Sequence, residues 1–167
     1  MMIIRPALPA DAPAIAAIYN HYILTTTISF EETPIDGAEI AQRMANVFAA
    51  GLPYVVAEED GTLSGYAYAT AWRARPAYRT SVETTVYLRT GTHARGVGTL
   101  LYRALLDQLR RDGYHMAIGG IAQPNAASVR LHEKLGFEKV AHFSEVGCKF
   151  GRWVDVGYWE LKLSNAA

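Results

Sequence analysis

Apolar and polar positions along the 167-residue chain switch repeatedly between strand-like alternation and helical spacing. Residues 2–5 read as a short strand. Asp11-Ala-Pro-Ala is a helix start in which Asp11 can cap and Pro13 is tolerated in the first turn; Ile15, Ile18, Tyr19 and Tyr22 then mark one face. A second helical pattern covers residues 35–50 and ends at Gly51, and strand-like segments at 54–58 and 65–72 flank the turn Glu59-Asp-Gly-Thr as a hairpin. A strand over 81–89 runs into a glycine-containing junction, and the helix beyond it carries Val97, Leu101, Ala104 and Leu105 on one face and stops at Gly113. Residues 116–122 predict a buried strand, 126–135 a helix closed by Gly136, and 137–146 and 153–163 two last strands joined by a loop at 147–152. This order predicts one domain over residues 1–167, a mixed α/β sheet with helices on both faces and a right-handed crossover in its central strand-helix-strand unit.

With 50% hydrophobic and 19% charged residues the chain can bury one sizeable core. Sixteen basic residues balance sixteen acidic ones, so no global field draws the protein to nucleic acid or to an anionic membrane, and electrostatic recognition must be local. Cys148 is the only cysteine, which excludes an internal disulfide and a cysteine-rich metal site; a buried, inert thiol in a reducing compartment is expected. Pro6, Pro9, Asp11 and Pro13 interrupt the first twenty residues, and no run approaches the roughly eighteen apolar residues of a membrane span. The expectation is a soluble, cytoplasmic protein. His21, His115 and His142 lack the spacing of a metal cluster, so no metal is implied, and Trp153, Tyr158 and Trp159 are expected in the core or at a subunit contact.

The junction His93-Ala-Arg-Gly-Val-Gly-Thr carries the first chemical signal. Gly96 and Gly98 have no Cβ, so a ligand can approach the main chain, and the N–H groups of the following helical turn lack internal partners. Unpaired donors and the positive end of the helix dipole suit an anion, although a Gly-x-Gly at such a turn can also be turn chemistry alone. A dinucleotide fingerprint needs glycine where Leu101 stands, and a nucleotide-triphosphate loop needs a Gly-Lys-Ser/Thr that is absent.

A second run, Asn125-Ala-Ala-Ser-Val-Arg-Leu-His-Glu-Lys-Leu-Gly-Phe, follows one helix and one strand later. Together the two runs resemble the GNAT superfamily of acyl-coenzyme A N-acyltransferases. Asn20-His-Tyr, Trp72-Arg-Ala-Arg, Val82-Glu-Thr-Thr-Val-Tyr-Leu, Arg130-Leu-His-Glu and Lys149-Phe-Gly-Arg-Trp-Val-Asp-Val-Gly extend the likeness to its phosphinothricin and methionine sulfone acetyltransferase branch over nearly the whole chain. The resemblance implies a mostly antiparallel, twisted sheet with helices on both faces and acetyl-CoA as cosubstrate. It implies that the main chain of His93, Ala94, Arg95, Gly96, Val97, Gly98 and Thr99 grips the coenzyme diphosphate. Asn125 and Ser128 then face the pantetheine arm, and N–H groups near Val86 and Leu88 meet the thioester and pantetheine. His93 stands where Gln or Arg usually opens the turn, and His132 where many members carry a tyrosine thought to protonate the thiolate. A homodimer with its active sites near the subunit contact is implied as well.

The resemblance assigns Glu83, on the strand entering the glycine turn, as general base; a surface strand glutamate is the plain alternative. His132, as imidazole, suits proton donation to the leaving thiol or simple packing of its ring. Arg73, Arg75, Tyr78 and Arg79 crowd a loop before Glu83, and a guanidinium can bind a carboxylate, phosphinate or sulfone oxygen pair with two parallel hydrogen bonds. The resemblance places Arg73, Arg75, Tyr78 and Tyr87 at the acceptor, with Phe30 against its apolar part. The expected reaction moves acetyl to the α-amine of a small amino acid such as methionine sulfone, methionine sulfoximine or phosphinothricin. Acetylation of a protein N-terminus and a non-catalytic coenzyme sensor are the rivals.

Overall fold

The computed structural model describes residues 1–92 and 96–164. Strand β1 (Met2–Pro6) precedes a short 3-10 turn (Pro9–Asp11) and helices α1 (Ala12–Thr25) and α2 (Gly37–Ala49). Strands β2 (Tyr54–Glu59), β3 (Thr62–Ala71) and β4 (Ser81–Leu88) follow, then α3 (Val97–Arg111), β5 (Met116–Ala122), α4 (Ala126–Lys134), β6 (Glu138–Lys149) and β7 (Arg152–Lys162). They form one seven-stranded sheet in the order β1-β2-β3-β4-β5-β7-β6, antiparallel except between β4 and β5. The mixed α/β architecture is therefore as the pattern and the resemblance predict.

Cross-strand register puts Tyr54, Tyr66, Tyr68, Thr70, Glu83, Thr85 and Tyr87 on one face of the sheet. Helix α1 covers it, with Tyr19 and Tyr22 against Tyr87 at ring-centroid distances of 5.0 and 4.9 Å, and α2 lies beside it over Tyr54. The opposite face is closed by α3 and α4, whose Leu101, Tyr102, Leu105, Leu106, Leu109 and His132 are all buried. Helices thus clamp a central β2–β5 core from both sides, and the opposite β6 edge has little cover.

Local chemistry moves several boundaries. Asp36, not Ile35, starts α2, because its carboxylate accepts the Glu39 N–H at 2.9 Å. Asp11 does not cap α1; its side chain accepts the Leu8 N–H at 2.7 Å and two N–H bonds from Arg5 at 2.8 and 2.9 Å. The expected loop at 147–152 is a tight turn at Phe150 and Gly151, with φ of 54° and 68°, so β6 continues to Lys149. The same alternation corrects Cys148, which is exposed, while its neighbour Lys149 takes the buried position. Of the three late aromatic residues, Trp159 is core and Trp153 is 68% exposed.

The Arg5 bonds hold Asp11 below its ordinary 3.8, against the upward pull of burial, with the Leu8 bond helping. A carboxylate lowered on folding stabilises fully above 3.8, and that contribution is lost as pH falls through the folded-state value. Asp11→Ala should cost about 2 kcal/mol at neutral pH, a drop in Tm of roughly 4–8 °C. Thermal melts should show the gap from the unsubstituted chain closing under acid conditions.

Candidate active site at the opening between two parallel strands

Strands β4 and β5 pair at only three positions, Ser81 with Met116, Val82 with Ala117 and Glu83 with Ile118. Beyond Glu83 they part. Ser81 accepts from Trp72 on the β3 side, and Thr80 accepts from His115 on the β5 side, which fixes the alternation of the strand. By that alternation Val86 and Leu88 direct their main-chain groups into the opening, where the Leu88 carbonyl accepts the Tyr22 hydroxyl at 2.5 Å. Their N–H groups face the opening as donors without a strand partner.

A cavity of about 560 Å³ fills this opening. Its lining includes Phe30, Glu83, Val86, Tyr87, Leu88, Asn125, Ser128 and His132, so the fold brings these predicted residues together. Glu83 lies where the strands part, half-buried, and its carboxylate makes no hydrogen bond or ion pair with a described residue. Burial pushes it above the ordinary 4.5, opposed by the charge of Arg73. A carboxylate in that setting is a better proton acceptor than one in water.

His132 is 4% exposed. Its Nδ1 donates to the Ser128 carbonyl at 2.7 Å, which leaves Nε2 to accept the Tyr102 hydroxyl at 3.0 Å; Tyr102 also shares a hydrogen bond with the Thr84 hydroxyl. Burial lowers the His132 pKa from 6.5, offset in part by the Ser128 bond, so the ring is neutral at pH 7. Gly119 makes this possible, since a Cβ there would lie 2.6 Å from His132 Nε2. Asn125 caps α4 by accepting the Ser128 N–H at 3.2 Å, which fixes the start of that helix at the cavity wall.

The glycine turn lies at the far end of β4. Gly96 holds φ of 78° and no described side chain caps α3, so the first N–H groups of that helix have no partner among the described residues; Val97 and Gly98 are buried and Thr99 half-buried. His93, Ala94 and Arg95 lie outside the described residues. Arg73, Arg75 and Tyr78 do not line the cavity. They sit exposed on the loop between β3 and β4, Arg73 stacked over Trp72 at 4.7 Å, and neither arginine makes a hydrogen bond or ion pair with a described residue.

The cavity also uses residues that the sequence did not single out. Tyr19, Ser29, Glu31 and Tyr68 complete its α1 and α2 side, where Arg43 grips Glu31 through two N–H donors at 2.7 and 2.9 Å. The one available signal was the Tyr19 and Tyr22 helical face; the Glu31–Arg43 pairing depends on how α2 docks and has no local spacing.

Comparison with known proteins agrees with this geometry. The family model of the acetyltransferase (GNAT) domain matches residues 4–157. Phosphinothricin N-acetyltransferase of Streptomyces coelicolor is 42% identical over 164 residues, spanning 96% of this chain and 95% of its own. L-methionine sulfoximine/L-methionine sulfone acetyltransferase of Salmonella typhimurium is 39% identical over 166 residues, spanning 99% and 97%. The crystal structure of a GNAT superfamily phosphinothricin acetyltransferase from Sinorhizobium meliloti in complex with AcCoA superposes with a TM-score of 0.93 at 36% identity, over 96% of this chain and 88% of that one.

A histidine lowered on folding binds fewer protons than the unfolded chain just below pH 6.5, so its burial destabilises as pH falls through that value and is without penalty above it. NMR titration should give His132 a midpoint below 6.5 and the Nδ1–H tautomer at neutral pH. A midpoint above 6.5 would contradict the buried, neutral ring.

Proposed function

The chain belongs to the GNAT acetyltransferase family, and from that premise we propose that Glu83 is the general base of the acetyl transfer it catalyses. The enzyme is an acetyl-CoA-dependent N-acetyltransferase acting on the α-amine of small amino acids of the methionine sulfone, methionine sulfoximine and phosphinothricin type. The observation that carries the reading is the position of Glu83, a carboxylate without a hydrogen-bond or ion-pair partner among the described residues, where β4 and β5 part at the wall of the cavity.

In this reading the coenzyme arm enters between β4 and β5. Its diphosphate lies on the open N–H groups at the start of α3, within the turn from His93 to Thr99, and its pantetheine meets Val86, Leu88, Asn125 and Ser128. Glu83 takes a proton from the ammonium of the acceptor, directly or through water. The freed nitrogen attacks the thioester carbonyl, a C–N bond forms, and the carbonyl oxygen carries the developing charge. Collapse breaks the C–S bond, the nitrogen, cationic since the attack, gives up its second proton to leave the neutral amide, and the thiolate takes a proton on the α4 side. His132 is the proposed donor: the ring, neutral at rest, first takes up the nitrogen's second proton, the Tyr102 and Thr84 hydroxyls turn so that Nε2 donates, and Nδ1 gives its proton to the thiolate through the Ser128 hydroxyl, 3.4 Å away.

Arg73, Arg75 and Tyr78 are proposed to receive the acceptor's carboxylate and oxygen-rich head from the loop beside Glu83, with Tyr87 and Phe30 against its side chain. Neither arginine makes a hydrogen bond or ion pair with a described residue, so the N–H donors of both are open to that role while Arg73 stacks on Trp72. A homodimer is supported by Phe143, Val146, Phe150 and Trp153, apolar side chains of the β6–β7 hairpin that are each 50–68% exposed. No helix among the described residues is long and apolar enough to cross a membrane, and a cytoplasmic location is proposed.

Glu83→Gln should slow thiol release from acetyl-CoA by roughly 10² to 10⁴ while the Kd for acetyl-CoA stays unchanged. Steady-state assays with methionine sulfone, methionine sulfoximine, phosphinothricin and ordinary amino acids measure this. Full turnover in the variant would remove Glu83 from the mechanism, and faster thiol release with peptides than with free amino acids would favour protein N-termini.

A further inference from the structure

Lys149 is the only buried lysine among the described residues, 2% exposed near the end of β6, in a position where alternation leaves Cys148 in solvent. Removing an ammonium from water is costly unless its donors are used. No carboxylate among the described residues reaches ion-pair distance; Glu31 and Glu32 act on it only at longer range. Its Nζ instead donates to the main-chain carbonyl of Ser29 at 2.6 Å, across a sequence separation of 120 residues. A methionine or leucine could fill the same volume, so the charged end has a specific partner in the loop between α1 and α2.

That loop is the acceptor side of the cavity, since Ser29, Phe30 and Glu31 all line it. Two positions before Lys149, Gly147 gives the same loop its second seat: a Cβ there would stand 2.3 Å from Cε2 of Phe30, so the ring rests directly on the hairpin backbone. On its other sides the loop is tied to α1, where Tyr19 bonds to Ser29 Oγ at 2.8 Å, and to α2, where Arg43 holds Glu31. Phe30 has no such bond. Its place depends on the tip of the β6–β7 hairpin.

We infer that Lys149 is a positioning residue for the acceptor: its bond to the Ser29 carbonyl, together with the bare backbone of Gly147, sets the distance between Phe30 and Glu83. This inference depends on the acceptor site proposed above. The coenzyme wall, formed by β4, β5 and α4, takes no bond from Lys149, so loss of the lysine loosens one half of the cavity and spares the other.

The test compares unsubstituted enzyme with Lys149→Met and Gly147→Ala, using acetyl-CoA and whichever amino acid of the panel the unsubstituted enzyme turns over best. Turnover by the unsubstituted enzyme tests the proposed function by itself, before any variant is compared. Lys149→Met should raise the acceptor KM by about tenfold or more, with kcat within about threefold and the calorimetric Kd for acetyl-CoA within about twofold. Gly147→Ala, which displaces Phe30 and leaves the lysine in place, should show the same split and keeps the inference testable should Lys149→Met fold poorly. An acceptor KM unchanged in both variants, or an acetyl-CoA Kd that weakens in step with it, would overturn the inference.

Discussion

Parallel pairing between β4 and β5 stops after Glu83 and Ile118, and most of what the molecule can do follows from that interruption. Two strands that stayed paired would use the main-chain donors of Val86 and Leu88 on each other. They would also close the cavity between the helix layers. Parting the strands leaves backbone groups to be satisfied by a guest or by water, because buried N–H groups are rarely left without a partner. Tyr22 already meets one such need at the Leu88 carbonyl. The half-buried Glu83, in the last pair before the opening, is in reach of both the core and the guest.

The two halves of the cavity are held by different means. On the coenzyme side, order comes from the packed interior: His132 is fixed by Ser128 and Tyr102, with Gly119 bare beneath it. On the proposed acceptor side a loop without regular structure is pinned by its two flanking helices, through Tyr19 and Arg43, and by a strand 120 residues away, through Lys149. Such a division suits an enzyme whose coenzyme is constant and whose acceptor differs among relatives. Loop anchors can change one at a time, whereas the buried network moves only as a unit.

What could be seen in the sequence was whatever local spacing encodes. The strand at 116–122 was legible to the residue because flanking turns bound a continuous apolar run. The hairpin at Asp60–Gly61 announced itself by an Asp-Gly pair, and both residues hold positive φ. The family resemblance picked out Glu83, Tyr87, Asn125, Ser128 and His132, and the fold brings them to one cavity. Cys148 was expected buried from its residue type, and it is the neighbouring Lys149 that turns inward, although a cysteine is ordinarily the more buried of the two. Only the pairing of β6 with β7 and the docking of a loop 120 residues away decide which of them turns inward. Asp11 was misassigned for a similar reason: Arg5 and the Leu8 amide, brought in by the β1 entry, outcompete the helix end for its oxygens.

Magnitudes show why the anchors deserve as much weight as the base. An amine of pKa about 8 is about one-tenth neutral at pH 7, so removing its proton costs little more than about 1 kcal/mol. A positioned general base contributes typically about 3–5 kcal/mol. Holding nitrogen and thioester in line can contribute about 7–11 kcal/mol. As the proposed base, Glu83 can act only on an amine already placed beside the carbonyl, and in that proposal the placement is divided between a rigid coenzyme wall and a pinned loop. The larger share of rate enhancement is therefore expected from residues that never touch the transferred proton, and on the proposed acceptor side these are Phe30 and the hairpin that seats it.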